Sequence, residues 1–275
     1  MAHTTHCRRA RPAAYCPRRL AAAGRAASAA LLALLLLAGC ATGAPSGSEG
    51  STGPLTVVAA ASLTEPFTRI AEDFEADRPG TAVELSFAGS ADIVAQLGQG
   101  APADVVATAD EPTMDRLVAE ELLAADPEIF AWNTLTIVTA PGNPHGISGL
   151  SDLARGEVAL VVCAPQVPCG AATRTVLDAA GASVSPVSEE TAVTGVLTAV
   201  RTGQADAGLV YVTDALSAAG EVEAVAFPES TEAVNRYPIA VTAGSAGSEA
   251  ARAFVEHVTS PAGRAVLTAA GFGAP

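Results

Sequence analysis

Short apolar runs that alternate with helical patterns are the feature of this sequence that most restricts its fold. The run LTVVAAA at 55–61 precedes a segment with apolar residues at helical spacing, and AVELSFA and ADVVATA each precede another. The order returns after residue 133, where EVALVVC leads to a helical pattern and DAGLVYV follows a further one. Repeated strand-then-helix units favour parallel sheets, because each helix carries the chain back along the sheet. The sequence therefore predicts an α/β protein with two such units in series.

The first 39 residues have the character of an export signal. They hold six arginines and no acidic residue, and their apolar run from Ala26 to Ala38 is shorter than the ~20 residues of a membrane span. The run ends in LAGC, which resembles the lipobox of bacterial lipoproteins, where the chain is cut before the cysteine and the cysteine is acylated. We expect residues 1–39 to be removed and Cys40 to carry a lipid. An ordinary cleaved signal with a chance cysteine is the alternative, and the export route stays open.

Residues 40–54 follow as a flexible tether, since ATGAPSGSEGSTGP at 41–54 is rich in Gly, Ser and Pro. Beyond the signal the chain keeps nine arginines against 29 acids, a net charge of −20, and it has no lysine. Such a charge disfavours nucleic acid as a partner. The absence of lysine excludes a Schiff base and a phosphate-loop lysine.

Cysteine chemistry is restricted to Cys163 and Cys169, because Cys7 and Cys16 leave with the signal and Cys40 is the expected lipid site. A thiol site, a metal site and a disulfide are all open to such a pair. Two cysteines in an oxidising compartment favour a disulfide, which would close a seven-residue loop.

A thiol enzyme built on Cys169 would need a base, and no local signature pairs it with His145 or His257, the only histidines after the signal. Zinc capture would want clustered His and Cys. Ferric capture would want neighbouring tyrosines, but Tyr211 and Tyr237 lie far apart in the sequence.

Four predicted junctions between strand and helix carry small or hydroxyl residues where helical N–H groups are free. They fall at Ser62, Ser90, Cys169 and Val193. A helix N-terminus exposes about four unpaired N–H donors and a positive dipole end, which attract anions. Taken alone, each serine also suits a plain helix cap, and SLTE at 62–65 has the capping-box pattern. Open α/β sheets bind ligands at the carboxyl ends of their strands, so several junctions can converge on one anion.

The chain from Leu55 to Phe272 resembles the molybdate-binding proteins of bacterial ABC importers. The resemblance rests on the separated motifs AAASLTEPF, FAGSADIVAQLGQGAPADVVATAD, PQVPCG, ADAGLVYVTDA and YPIAVT. It implies the two-lobed type II periplasmic-binding-protein fold, in which each lobe is a mostly parallel sheet flanked by helices. Lobe 1 would comprise residues 55–132 and 243–275, and lobe 2 residues 133–242.

The same resemblance implies the ligand contacts. The side chains of Ser62, Ser90 and Tyr211 and the backbone N–H groups of Cys169 and Val193 would bind the oxygens of molybdate or tungstate, not a bare metal cation. Two positions depart from the family pattern. Cys169 stands where alanine is more usual, and EETAVTG around Val193 lacks the usual Asn or Asp before the valine.

These features predict a lipid-anchored receptor on the outer face of the cytoplasmic membrane. It would capture molybdate, and also tungstate, between two lobes and deliver it to an ABC permease driven by a separate ATPase. We expect a monomer that needs no cofactor and performs no catalysis. Sulfate is the alternative ligand, since the sequence does not report cavity size, and a Cys-dependent enzyme is a remote alternative.

Overall fold

The computed structural model describes residues 53–275. The predicted signal at 1–39, Cys40 and the tether up to residue 52 lie outside this range. None of the helices between residues 53 and 275 has the length and apolar character that a membrane span requires.

The described chain contains ten strands and eight α-helices, joined by short 3-10 turns. In chain order they are β1 (Leu55–Ala60), α1 (Thr64–Asp77), β2 (Val83–Ala88), α2 (Ser90–Gly98), β3 (Val105–Ala107), α3 (Glu111–Ala119), β4 (Glu128–Asn133), β5 (Leu135–Thr139), β6 (Leu160–Cys163), α4 (Pro168–Ala180), β7 (Ser188–Glu190), α5 (Val193–Arg201), β8 (Ala207–Tyr211), α6 (Val212–Ser217), β9 (Glu223–Val225), β10 (Asn235–Val241), α7 (Glu249–Thr259) and α8 (Pro261–Ala269).

The strands form two five-stranded sheets with the same plan. The first sheet has the order β2-β1-β3-β10-β4, and the second has the order β7-β6-β8-β5-β9. In each, three neighbouring strands run parallel and the fourth in the order, β10 or β5, runs antiparallel to both of its neighbours. The predicted α/β class with mostly parallel sheets is therefore confirmed.

Helices cover the central strands, which explains the apolar runs in the sequence. Every residue of β5 and of β8 is buried, as expected of strands packed on both faces. Helix α1 contributes Phe67, Ile70 and Phe74, whose spacing places them on one face. The ring of Phe74 meets Phe254 of α7 edge-on at 5.3 Å between centroids. This packing fixes α1 and the turn that precedes it.

The sheets change the expected lobe boundaries. Strand β4 ends at Asn133 in the first sheet and β5 begins at Leu135 in the second, where the first crossing was predicted. The return was predicted near Thr242, but β10 pairs with β3 and β4. By sheet membership the chain has returned before Asn235, because this strand buries its apolar residues in the first sheet rather than the second.

Candidate functional site

Five junctions meet at one small cavity of about 20 Å³. Its lining includes all five residues that the sequence singled out: Ser62, Ser90, Cys169, Val193 and Tyr211. They lie at or beyond the carboxyl ends of β1, β2, β6, β7 and β8, so both sheets contribute. This is the edge at which open α/β sheets bind ligands. A cavity this small suits one small ligand.

Ser90 lines the cavity with its hydroxyl group. It is the first residue of α2, and Gly89 occupies the capping position, so the serine is not the helix cap. Its Oγ accepts a hydrogen bond from the N–H of Ala109 at 3.0 Å. Because the acceptor side of the hydroxyl is occupied, the hydrogen is free to be donated to a ligand.

Ser62 is likewise free of a capping role. It lies in the 3-10 turn Ala61–Leu63, and α1 begins only at Thr64, with no side-chain cap at either start. The capping-box interpretation of SLTE is therefore wrong, because the extra turn moves the helix start past the serine. The Oγ of Ser62 instead lies 3.1 Å from the hydroxyl of Tyr237 on β10.

Tyr211 supplies a third hydroxyl, from the end of β8. The side chain is 1% exposed, and its hydroxyl has no hydrogen-bond partner among the described residues. A buried polar group without a partner costs about 1–3 kcal/mol, so such groups are rare unless they serve a ligand. Burial raises the pKa of Tyr211 well above its ordinary value, so the hydroxyl keeps its hydrogen for donation.

Cys169 and Val193 bring helix N-termini to the cavity. Cys169 is the second residue of α4, after Pro168, and Val193 is the first residue of α5. N–H groups in a first helical turn have no acceptor within their own helix, and they carry the positive end of the helix dipole. Both positions can therefore donate to an anion through the backbone, whatever their side chains are.

A disulfide joins Cys163 at the end of β6 to Cys169, with 5.7 Å between their Cα atoms. It ties the first turn of α4 to the strand that precedes it. Gly170 reinforces the contact, since a Cβ there would lie 1.9 Å from the carbonyl oxygen of Ala164. The loop that carries the Cys169 N–H is thus held close to the sheet at two adjacent positions.

The disulfide contradicts the thiol-enzyme alternative, because both sulfur atoms are bonded to each other. Neither histidine lines the cavity. His145 is 3.2 Å from a carboxylate oxygen of Asp206, and the ring of His257 lies edge-on to Phe74 at 5.5 Å. Among residues 53–275 no group of three or more His, Cys, Asp or Glu is arranged to hold a metal ion.

The lining of the small cavity carries no charged side chain. Its polar groups include four side-chain hydroxyls, those of Ser62, Ser90, Thr191 and Tyr211, and the N–H groups of helix starts, which are all able to donate. Oriented dipoles of this kind can hold an anion without a cationic residue. A tetrahedral oxyanion offers acceptors in every direction, so it matches this set of donors.

A buried carboxyl group lies close behind the site. Asp214 of α6 accepts a hydrogen bond from the N–H of Tyr211 at 3.0 Å. Burial raises the pKa of Asp214 to about 7, although this hydrogen bond acts in the opposite direction. Through this contact Asp214 caps the start of α6.

A larger open cavity, of about 510 Å³, adjoins the small one at Ser62. Its lining includes the carboxyl groups of Glu65 and Asp214 and only one cationic residue, Arg201, which is ion-paired with Glu221. Acidic groups and a paired arginine do not favour an anion. The small cavity, with donors alone, is therefore the better candidate.

Three further residues shape the surroundings of the cavity. Ala109 donates to Ser90, Tyr237 contacts Ser62, and Gly89 approaches Thr191 so closely that a Cβ would lie 2.4 Å from its carbonyl oxygen. Of these, only the role of Gly89 could be inferred from the sequence, since a glycine before a predicted helix start permits close backbone approach.

Comparison with known proteins agrees with this arrangement. Residues 55–273 match the profile of the family described as bacterial extracellular solute-binding protein. The molybdate-binding protein ModA of Mycobacterium tuberculosis is 49% identical over 255 residues, which cover 90% of this chain and 98% of the relative. The putative ABC transporter substrate-binding lipoprotein YvgL of Bacillus subtilis is 28% identical over 248 residues, covering 89% and 95%. The periplasmic molybdate-binding protein of Azotobacter vinelandii superposes with a TM-score of 0.69 at 23% identity, over 80% of this chain and 99% of that chain.

Two mixed α/β sheets that converge on one small, donor-lined cavity define a binding protein of the periplasmic-binding class. The chain belongs to the family of bacterial extracellular solute-binding proteins. The resemblance to molybdate-binding proteins is confirmed by the 49% identity to ModA. The family consists of proteins that bind solutes, so the protein is not an enzyme.

Proposed function

We propose that this protein captures molybdate, and also tungstate, in the small cavity between its two sheets. Ser62, Ser90 and Tyr211 donate through hydroxyls, and Cys169 and Val193 donate through backbone N–H groups. The observation that carries the proposal is a small cavity lined by hydrogen-bond donors and no charged side chain, with the buried Tyr211 hydroxyl left without a partner among the described residues. The 49% identity to ModA supports molybdate as the ligand.

The donor set also explains selectivity against protonated oxyanions. A hydrogen phosphate ion brings its own O–H into a site whose polar groups mainly donate, and an unpaired buried donor costs about 1–3 kcal/mol. Fully ionised molybdate, tungstate and sulfate bring acceptors alone. Sulfate is therefore the second candidate, and cavity size decides between it and molybdate.

The remaining parts of the proposal concern delivery and location. Cys40 carries a lipid after cleavage of residues 1–39, the body closes on its ligand, and the closed form docks on an ABC permease with a separate ATPase. The LAGC sequence supports the anchor, as does the description of YvgL, a relative at 28% identity, as a lipoprotein. Replacing Cys40 with serine should release the mature protein from the membrane fraction.

Calorimetry with molybdate, tungstate, sulfate and phosphate tests the ligand. We expect molybdate and tungstate to bind and to raise the melting temperature, and hydrogen phosphate to do neither. Binding of sulfate without molybdate would overturn the narrow proposal and leave an oxyanion receptor. The double variant Ser62→Ala/Ser90→Ala tests the site itself. It removes two donors and should stay folded with much weaker binding.

A further inference from the structure

Strand β10 lies directly behind both cavity serines without lining the cavity. Asn235 and Tyr237 are two positions apart, so their side chains leave the strand on the same face, and both are buried. Arg236 between them is exposed. Neither buried side chain belongs to the cavity lining. The strand thus offers two polar groups to the residues that do line it.

Tyr237 acts on Ser62. Their oxygen atoms are 3.1 Å apart, and either hydroxyl could donate. If Ser62 donated, its hydrogen would be lost to a ligand and the buried Tyr237 hydrogen would need another acceptor. If Tyr237 donates, both needs are met, because the phenol hydrogen has an acceptor and the serine hydrogen is left for the cavity. Burial raises the pKa of Tyr237 well above its ordinary value, so that hydrogen is retained.

Asn235 acts on Ser90 through one peptide group. Its Nδ2 donates to the carbonyl oxygen of Ala109 at 3.0 Å, and the N–H of Ala109 donates to the Oγ of Ser90 at 3.0 Å. The Asn235 side chain therefore holds Ala109 in place, and the N–H of Ala109 donates to the Oγ of Ser90. With Tyr237 as the donor, both serines accept a hydrogen bond from behind and keep a hydrogen for the cavity.

We propose that Tyr237 and Asn235 are positioning residues that hold the two cavity serines as hydrogen-bond donors and thereby set the selectivity for fully ionised oxyanions. This inference rests on the proposed oxyanion site and adds residues that do not touch the ligand. A serine hydroxyl that nothing orients can rotate and accept a hydrogen bond from a protonated oxyanion. One that already accepts from behind is much less free to do so.

Tyr237→Phe tests the inference, since it removes one oxygen atom and keeps the ring. Affinity should be measured by calorimetry at mildly alkaline pH with molybdate, sulfate and hydrogen phosphate. We expect the affinity for the preferred ionised anion to fall about tenfold, the effect of one net hydrogen bond. Hydrogen phosphate should bind equally or better, so the selectivity ratio falls by at least about tenfold.

Asn235→Ala provides a second test and should lower the same ratio through Ser90. The matched control is Thr139→Val, which deletes a buried hydroxyl at the far end of β5, where Thr139 Oγ1 donates to the carbonyl oxygen of Ala140. It should lower the melting temperature without changing the ratio.

If Tyr237→Phe weakened the binding of every anion equally, Tyr237 would have only a structural role and the inference would be wrong. Unchanged affinity for all anions would also overturn it. The proposed function is judged on the wild-type protein alone. If the wild type binds sulfate but not molybdate, selectivity is measured as the ratio of the affinities for sulfate and hydrogen phosphate. The positioning inference can then still be tested. If the wild type binds no oxyanion, both proposals fail.

Discussion

The Tyr211 hydroxyl shows how one atom can favour binding at the expense of stability. It is buried at the end of β8 and has no hydrogen-bond partner among the described residues. Tyr211→Phe should therefore leave the free energy of unfolding of the ligand-free protein unchanged or raise it by about 1 kcal/mol. The same change should weaken molybdate binding about tenfold. Urea unfolding and calorimetry measure the two effects. Loss of stability with intact binding would contradict the assignment of this hydroxyl as a ligand donor.

Asp214 should give the protein a pH-dependent stability near neutrality. Its folded pKa of about 7 lies above the ordinary 3.8, so the native state binds a proton that the unfolded chain has lost between these values. The free energy of unfolding therefore falls as pH rises through this window, by up to about 4 kcal/mol.

Asp214→Asn should remove this contribution, because an asparagine oxygen can still accept the N–H of Tyr211. The variant should match the wild type near pH 4 and be the more stable of the two near pH 8. Urea titrations across this range give the difference directly. Parallel pH profiles for the two proteins would show that Asp214 titrates normally.

At the scale of elements, the first turn of α4 depends on the disulfide between Cys163 and Cys169. Closing a loop of this length stabilises a protein by about 2 kcal/mol through the unfolded chain. The double variant Cys163→Ala/Cys169→Ala should lose about this amount and bind molybdate several-fold more weakly, because the Cys169 N–H is no longer held toward the cavity. Reduction of the wild type should reproduce both effects. A loss of stability with unchanged affinity would limit the disulfide to a structural role.

Elements with their own side-chain pattern were predictable from the sequence. The five apolar runs LTVVAAA, AVELSFA, ADVVATA, EVALVVC and DAGLVYV correspond to β1, β2, β3, β6 and β8. The convergence of Ser62, Ser90 and Cys169 was also expected. Strands β7 and β9 were missed because each has only three residues and lies at a sheet edge. Such a strand forms through backbone pairing with its neighbour and not through its own side-chain pattern. Strand β4 was missed because its segment, EIFAWN, alternates only partly.

Contacts between distant parts of the chain were beyond sequence reasoning. Ser62 and Tyr237 are 175 positions apart, and the pairing of β10 with the first sheet places them together. Such contacts are what the inferred donor direction of each serine rests on, whereas residue type alone permits donation and acceptance. The sequence thus indicated which residues line the cavity, and the fold adds the contacts behind them.

At the scale of the whole molecule, the two sheets meet through close backbone approach at the cavity. Gly89 follows β2 of the first sheet, and Thr191 precedes α5 of the second. A Cβ at position 89 would lie 2.4 Å from the Thr191 carbonyl oxygen, too close for any side chain unless the backbone moves. Gly271, after α8, also approaches α6, but a Cβ there would meet the movable end of the Leu216 side chain rather than backbone. Glycine at position 89 therefore permits the arrangement in which both halves of the site face one ligand.

Gly89→Ala should separate closure from folding. Position 89 has extended backbone dihedrals that alanine adopts freely, so the substitution strains the fold only through the Thr191 contact. If the two halves separate to relieve that contact, the melting temperature without ligand should change little. The added methyl group should keep the loops apart, so molybdate should bind at least about tenfold more weakly and no longer reduce the radius of gyration in X-ray scattering. Gly156→Ala is the matched control, since a Cβ there meets nothing within 4 Å. Wild-type affinity and compaction in Gly89→Ala would show that the Gly89–Thr191 contact does not govern closure.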